Sequence, residues 1–317
     1  MKNQYIANLH EGDEVNDYFI ITRKDLRDQP SGDKFLGFVI RDKTGEMGGV
    51  LWEKPVEIAQ RIEVGDVVVV KGTIRVYKDR LQIRATNIIP LADEQYSKDD
   101  LILPEMPNTD NYIKELWTII DSIKDPWLKK LVQSFCNDQK LMSAFESAPA
   151  AKKWHHELRG GLFRHCYELI KLAQAVCELY PKVNKDLLIT ACFLHDIGKV
   201  HELSIDQLYI DYTDAGRLIG HIVEGALIVS EKIKTIDGFP EDLRLHLLHC
   251  ILSHHGEYEN GSPVLPKTLE AMILHHLDDL DAQTNALTRI EQDTLKKGDK
   301  WSEFITLISR QIWTKRL

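Results

Sequence analysis

The run LLITACFL (187–194) is apolar except for Thr190 and leads directly into His195 and Asp196. A helix of that composition has no polar face, so it must be buried on all sides. The ionisable pair at its end then lies inside the fold, where an unpartnered charge costs several kcal/mol. Partners must come from other segments, and the useful question is which other polar residues point inward.

Helical periodicity supplies candidates. His165 shares a stripe with Leu162 and Leu169, and His221 shares one with Leu218, Gly225 and Ile228. Asp278 lines up with Ala271, Leu274 and Ala282, whereas Asp279 lines up with His275 and Gln283, so Asp278 is expected to be the inward acid. His254 and His255 close a helix. The stripe of the first holds Leu247, Cys250 and Ile251, that of the second Leu248, Ile251 and Leu252, and periodicity does not separate them.

Four histidines and two aspartates without cysteine make a hard-to-borderline donor set. It suits octahedral Mn²⁺ or Fe²⁺, admits Co²⁺, Ni²⁺, Zn²⁺ or Mg²⁺, and argues against structural zinc. Six ligands exceed what one catalytic ion needs if it is to keep open positions. Two divalent ions about 3.5–4 Å apart, bridged by a carboxylate and a water, fit better.

The chain divides by pattern. Segments 34–42 and 50–53 read as strands flanking the turn sequence KTGEMGG, and 66–78 and 80–89 read as a hairpin pivoting on Lys78-Asp79. Residues 55–65 open with Pro55, carry Val56, Ile58 and Ile62 at helical spacing, and stop at Gly65. With one further strand ahead of residue 34, this gives three strands, a helix, then two strands, the order of an OB-fold, a small barrel that often binds oligonucleotides. From residue 111 onward, successive segments carry apolar residues at intervals of three and four, which predicts a helical domain without a sheet. Between them the acidic stretch from Ala92 to Asp110, with Pro104 and Pro107, reads as a linker. The expected architecture is multi-domain: an all-β OB barrel over 1–92, a linker over 93–110, and an all-α domain with a helical N-terminal extension over 111–317.

Composition sets the outer bounds. A net charge of −9 and 43% hydrophobic residues exclude disorder as the main state. The first residues, MKNQYIANLHEGDE, lack the apolar core of a signal peptide, and no run of 18 apolar residues occurs, so a cytoplasmic protein without a membrane partner is expected. Cys136, Cys166, Cys177, Cys192 and Cys250 form no CxxC and read as reduced core thiols. Within the acidic chain, residues 71–84 carry a local +4 from Lys71, Arg75, Lys78, Arg80 and Arg84 against Asp79. Alternation puts Arg75 and Tyr77 on one side of their strand. A cation beside a ring suits a single strand, whose phosphates meet arginines while its bases stack. Trp52, Phe35 and Phe38 are further stacking candidates, each with a barrel-core alternative.

HDIGK (195–199), with His165 upstream and DDLDA (278–282) downstream, resembles the HD-domain superfamily of metal-dependent phosphohydrolases. Together with PAAKKWHHELRGGLFRH (149–165), SHHGE (253–257), HHLDDLDAQ (275–283) and the N-terminal barrel, the chain resembles the YhaM family of 3′-to-5′ exoribonucleases over nearly its whole length. The resemblance implies that His165, His195, Asp196 and Asp278 hold one ion and that Asp196 bridges to a second held by His221 and His254; the donor set makes Mn²⁺ the first candidate metal. It implies 3′-to-5′ phosphodiester hydrolysis in single-stranded RNA, and in-line attack would leave 5′-phosphates. Single-stranded DNA stays open as a partner, because an OB surface need not sense the 2′-hydroxyl. Asp196 is the expected catalytic carboxylate. Lys199 either steadies the phosphate or is a solvated lysine at a helix end. His155, His156 and Arg159 are candidates for contact with the terminal nucleotide, and Arg75, Tyr77, Arg84 and Trp52 for the rest of the strand. A homo-oligomer is compatible with this reading. Two alternatives stand beside it: a nucleotide or cyclic-dinucleotide phosphohydrolase whose barrel serves assembly, and a non-catalytic single-strand-binding protein, against which the complete ligand set weighs.

Overall fold

The structure, a computed structural model, describes residues 2–29, 32–78, 80–102, 109–151, 158–206, 208–296 and 298–315. Two compact units emerge, Met1–Pro104 with Ile205–Ile210, and Glu105–Ser204 with Asp211–Leu317. No described helix is long and apolar enough to cross a membrane.

Five strands form the barrel: β1 (Glu14–Asp28), β2 (Lys34–Asp42), β3 (Gly45–Leu51), β4 (Val67–Tyr77) and β5 (Arg80–Pro90), with the short helix α1 (Pro55–Ala59) between β3 and β4. The order around the closed sheet is β1-β2-β3-β5-β4, that of an OB-fold. β1 is long enough to serve two neighbours. Its first half pairs with β4 and its second with β2, and the register shifts between Ile21 and Arg23 where the strand changes partner. A parallel pairing of β3 with β5, Gly48 opposite Gln82 through Leu51 opposite Ala85, closes the barrel. Phe19, Leu36, Phe38, Ile40, Leu51, Val68, Ile74 and Ile83 fill it, and Ile58 and Ile62 cover one end.

Two sequence expectations change here. β3 starts at Gly45, five residues before the expected strand, and the tight turn is confined to Lys43 and Thr44. Gly49 is a packing residue, since a Cβ there would lie 2.2 Å from the Phe38 ring. The expected linker begins too early, because residues 93–101 are held on the barrel. Tyr5 and Tyr18 both donate to the Asp100 carboxylate at 2.5 Å, and Leu101 is fully buried.

One barrel feature has no sequence signal. The Lys2 ammonium is buried beside Asp17 and Asp42, 3.7 Å from Asp42 Oδ2, and 3.5 Å from the centre of the Phe19 ring. Burial pulls its pKa down to about 8, against the pull of Asp17 and Asp42. Asp42 also accepts from the backbone N–H of Ile6 and of Thr44, at 2.9 and 2.8 Å.

The second unit contains α2 (Thr109–Asp121), α3 (Pro126–Cys136), α4 (Gln139–Ser147), α5 (Gly161–Leu179), α6 (Lys185–Leu194), α7 (Lys199–Glu202), α8 (Asp214–Leu218), α9 (His221–Lys234), α10 (Glu241–Ser253) and α11 (Leu269–Lys296). The expectation of a region without a sheet needs correction, because β6 (Leu203–Asp206) and β7 (Tyr209–Tyr212) pair as a two-stranded sheet after α7. Every residue from Leu187 to Leu194 on α6 is buried, as its composition requires. Asn184 caps that helix by accepting from the Leu187 N–H. α6 is therefore the axis against which α5, α10 and α11 pack.

Removing Asp42 would leave Lys2 with the Tyr18 carbonyl and the more distant Asp17, and two backbone donors without their acceptor. Asp42→Ala is expected to destabilise the barrel by about 3–5 kcal/mol, with Asp42→Asn losing less because it keeps an acceptor. Urea unfolding followed by barrel-specific probes measures both, and equal midpoints for wild type and Asp42→Ala would show that the Lys2 cluster contributes nothing.

Candidate active site

Five histidines surround Asp196, and each has one ring nitrogen already committed. His165 Nδ1 lies 2.6 Å from Asp281 Oδ2, His195 Nδ1 3.0 Å from the Cys192 carbonyl, and His221 Nδ1 2.8 Å from Glu202 Oε1. His254 Nδ1 lies 2.7 Å from the Ile251 carbonyl, and His255 Nδ1 2.8 Å from that of Asn260. Carbonyl and carboxylate oxygens only accept, so each Nδ1 carries the hydrogen and donates outward. That leaves Nε2 as the nitrogen turned toward a metal.

Helix ends bring these rings together. His195 follows the last turn of α6, His221 opens α9, His254 and His255 follow α10, while His165 on α5 and Asp278 on α11 sit within longer helices. His165, His195, Asp196 and His254 are buried. The ligand atoms of His165, His195 and Asp278 lie within 4.8 Å of one another, and so do those of His221, His254 and His255.

Asp196 stands between the two groups with one oxygen toward each. Its Oδ2 lies 3.4 Å from His195 Nε2 and 3.8 Å from His165 Nε2, and its Oδ1 lies 3.4 Å from His221 Nε2 and 3.5 Å from His254 Nε2. Asp196 Oδ1, His221 Nε2 and His254 Nε2 are buried atoms without a hydrogen-bond partner. Three such orphans converging on one point are costly unless a cation sits among them. The donor set therefore fits divalent metal, and a third group, His195, Asp196 and His254, joins the other two.

Charge tells the same story. Burial would raise the Asp196 carboxyl, but Lys199 and His195 hold it well below the usual range. Burial likewise opposes ionisation of Asp278, and His165 overrides it. His165 is disfavoured as a cation by burial, yet Asp278 and Asp281 on either side hold its pKa up at about 10. A metal ion would supply the positive charge those acids demand.

Lys199 is not a solvated lysine. It is buried, with its Nζ 2.6 Å from Asp196 Oδ2. Asp279 is exposed and accepts from Gln283, which leaves Asp278 as the inward acid. His255, which periodicity could not separate from His254, joins the second group beside it. Sequence reasoning missed Asp281, Glu202 and His275. Asp281 carried a usable signal, lying one helical turn beyond Asp278. His275 donates to the His254 carbonyl at 2.9 Å, and its ring occupies the space a Cβ on Gly256 would need. His246 faces Glu270 at 3.4 Å, and His249 accepts from the Lys267 N–H. His155 and His156 lie outside the described residues; Arg159 is half-buried just ahead of α5.

In the barrel, Arg75, Tyr77, Arg84 and Trp52 line one groove of about 800 Å³, together with Arg23 and Arg27. Trp52 is 42% and Tyr77 58% exposed, while Phe38 is 3% exposed and belongs to the core. Phe35 stacks on Trp52 with ring centres 4.8 Å apart, and so supports its inner face.

Gly198 sets the spacing between Asp196 and His221. A Cβ there would fall 2.0 Å from the His221 carbonyl oxygen and 2.5 Å from the Gly225 nitrogen, both backbone atoms. Gly198→Ala is expected to cost about 1–3 kcal/mol through overpacking and to weaken divalent-metal binding, because the turn carrying Asp196 must move off α9. Thermal unfolding and metal analysis of the purified variant check this, and wild-type values in both would show that the contact yields at no cost.

Comparison with known proteins covers both units. The HD domain family matches residues 162–283, and the OB-fold nucleic acid binding domain family matches residues 20–91. Over 309 residues, 96% of each chain, the protein is 33% identical to the 3′-5′ exoribonuclease YhaM of Bacillus subtilis strain 168. It has the same identity and coverage with the 3′-5′ exoribonuclease YhaM of Bacillus velezensis. An identity of one third, over an alignment that spans both barrel and helices, places this chain in the YhaM family of 3′-5′ exoribonucleases.

Proposed function

We propose that the protein is a metal-dependent 3′-to-5′ exoribonuclease that hydrolyses phosphodiester bonds of single-stranded RNA and releases nucleoside 5′-monophosphates. The observation that carries this reading is the division of the two Asp196 oxygens between two histidine groups. His165, His195 and Asp278 would hold one divalent ion, His221, His254 and His255 the other, and Asp196 would bridge them. Mn²⁺ is the metal this nitrogen-and-oxygen set suits first. Bound there, the ions supply Lewis acidity toward phosphate oxygens and lower the pKa of water.

The chain's own residues do the rest. The site gathers four carboxylates: Asp196 meets the Lys199 ammonium, Asp278 and Asp281 flank His165, and Glu202 backs His221. Two divalent ions reverse this negative excess, so a site that repels phosphate becomes one that attracts it. Lys199 holds Asp196 Oδ2 from the side and keeps the carboxylate aimed. The barrel groove offers rings for bases and guanidinium groups for phosphates, and this pairing grips a single strand. Neither contact senses a 2′-hydroxyl, so single-stranded DNA is a second ligand of the groove.

With 5′-labelled single-stranded RNA and Mn²⁺, the protein should produce a ladder that shrinks to short oligomers, and a chelator should stop it. Asp196→Ala should abolish hydrolysis while RNA binding survives; retention of more than a small fraction of turnover would sink the bridging role. His255→Ala and His254→Ala should each lose both activity and bound Mn²⁺. Unchanged metal affinity in the His255 variant would remove that residue from the ligand set. In the groove, Trp52→Ala and Tyr77→Ala should each weaken RNA binding by about 1–3 kcal/mol. Arg75→Ala and Arg84→Ala should each flatten the salt dependence by about 0.7 in slope. Full binding by all four variants would relocate the strand elsewhere.

A further inference from the structure

Each of the two histidine groups contains one imidazole backed by an acid, and the others are backed by carbonyls. In the first group His165 donates to Asp281 at 2.6 Å, whereas His195 donates to the Cys192 carbonyl. In the second His221 donates to Glu202 at 2.8 Å, whereas His254 and His255 donate to the carbonyls of Ile251 and Asn260. A carboxylate behind an imidazole fixes its orientation and makes its free nitrogen more basic than a carbonyl does. Building on the two-ion reading above, we propose that Asp281 and Glu202 are positioning residues that set the affinity of the two ions separately, Asp281 through His165 for one and Glu202 through His221 for the other.

The surroundings of each acid fit that role. Asp281 is buried on α11, and Asn285 donates to its Oδ1 at 3.0 Å, leaving Oδ2 for His165. Asn285 also donates to Glu168 Oε2 at 3.2 Å, and Glu168 pairs with Arg164. The acid is thus clamped from α5 and α11, the two helices that carry His165 and Asp278. Glu202 ends the one-turn α7 and accepts twice from the same residue, at 3.2 Å from the His221 backbone N–H and 2.8 Å from its Nδ1. Gly220, at the cap position of α9, brings no side-chain cap of its own, so Glu202 supplies an acceptor to the first turn as well as orienting the ring. Neither acid appears in any of the three clusters of ligand atoms among the described residues, and neither needs to touch metal to act.

The test is a Mn²⁺ titration of metal-stripped full-length protein by calorimetry, with melting temperature followed in parallel with and without Mn²⁺. Wild type should bind two ions. Asp281→Ala should weaken one of them by about 10–100-fold and leave the other unchanged, and Glu202→Ala should do the same to the other ion. In a His221→Ala background, where the second group is already broken, Asp281→Ala should still weaken the remaining ion and Glu202→Ala should not. Asp281→Asn and Glu202→Gln keep an acceptor without the charge, should fold where the alanine variants do not, and should fall between wild type and alanine in affinity. Two ions weakened together by either variant, or neither weakened, would overturn the separate roles. Fewer than two ions in wild type would instead overturn the two-ion reading, and this proposal with it.

Discussion

A carboxylate buried among five imidazoles is the condition the helical unit has to meet. Asp196 cannot stay there as a bare anion, and its two oxygens face different groups of rings. Nearly every local feature serves that arrangement. α6 is apolar all round so that its end can sit at the centre of the unit, Gly198 lets the following turn lie against the backbone of α9, and Lys199 folds back to neutralise one oxygen. Acceptors outside the ring of ligands, two carboxylates and three carbonyls, then fix each imidazole. The site is built from helix termini because a terminus supplies free carbonyls, and those of Cys192 and Ile251 are what His195 and His254 use.

Sequence periodicity exposed the parts of this site that lie on regular helices. His165 and Asp278 could be assigned to inner faces because α5 and α11 continue on both sides of them. His254 and His255 could not be separated, and the reason is geometric: α10 ends at Ser253, so the 3.6-residue repeat no longer applies and both rings turn the same way. Glu202 sits on a single turn of helix too short to show a repeat. Asp281 was legible in principle, but an acid in DDLDA reads as solvated until His165 is known to face it.

In the barrel the strands of the hairpin and the helix between β3 and β4 were readable, whereas the start of β3 was not. Gly45, Gly48 and Gly49 read as turn residues, yet they lie in a strand, one of them because the Phe38 ring needs its space. Lys2 was illegible for the opposite reason, since a lysine near a chain end carries every sign of a surface residue. The β6–β7 pair alternates in LSIDQLYIDY, but the run is short and no glycine marks its turn.

Closure of the barrel has its own consequence for what the groove can recognise. The parallel pairing of β3 with β5 closes the sheet into a barrel through Gly48–Leu51. The groove on this surface is lined by side chains, among them rings and guanidinium groups. On the proposed reading, those side chains are what a bound strand meets. Every nucleobase presents a flat face and every linkage a phosphate, so a grip made of these contacts is indifferent to the order of bases. Such indifference is what a polymer-shortening enzyme requires, because each cut brings a different residue to the same position.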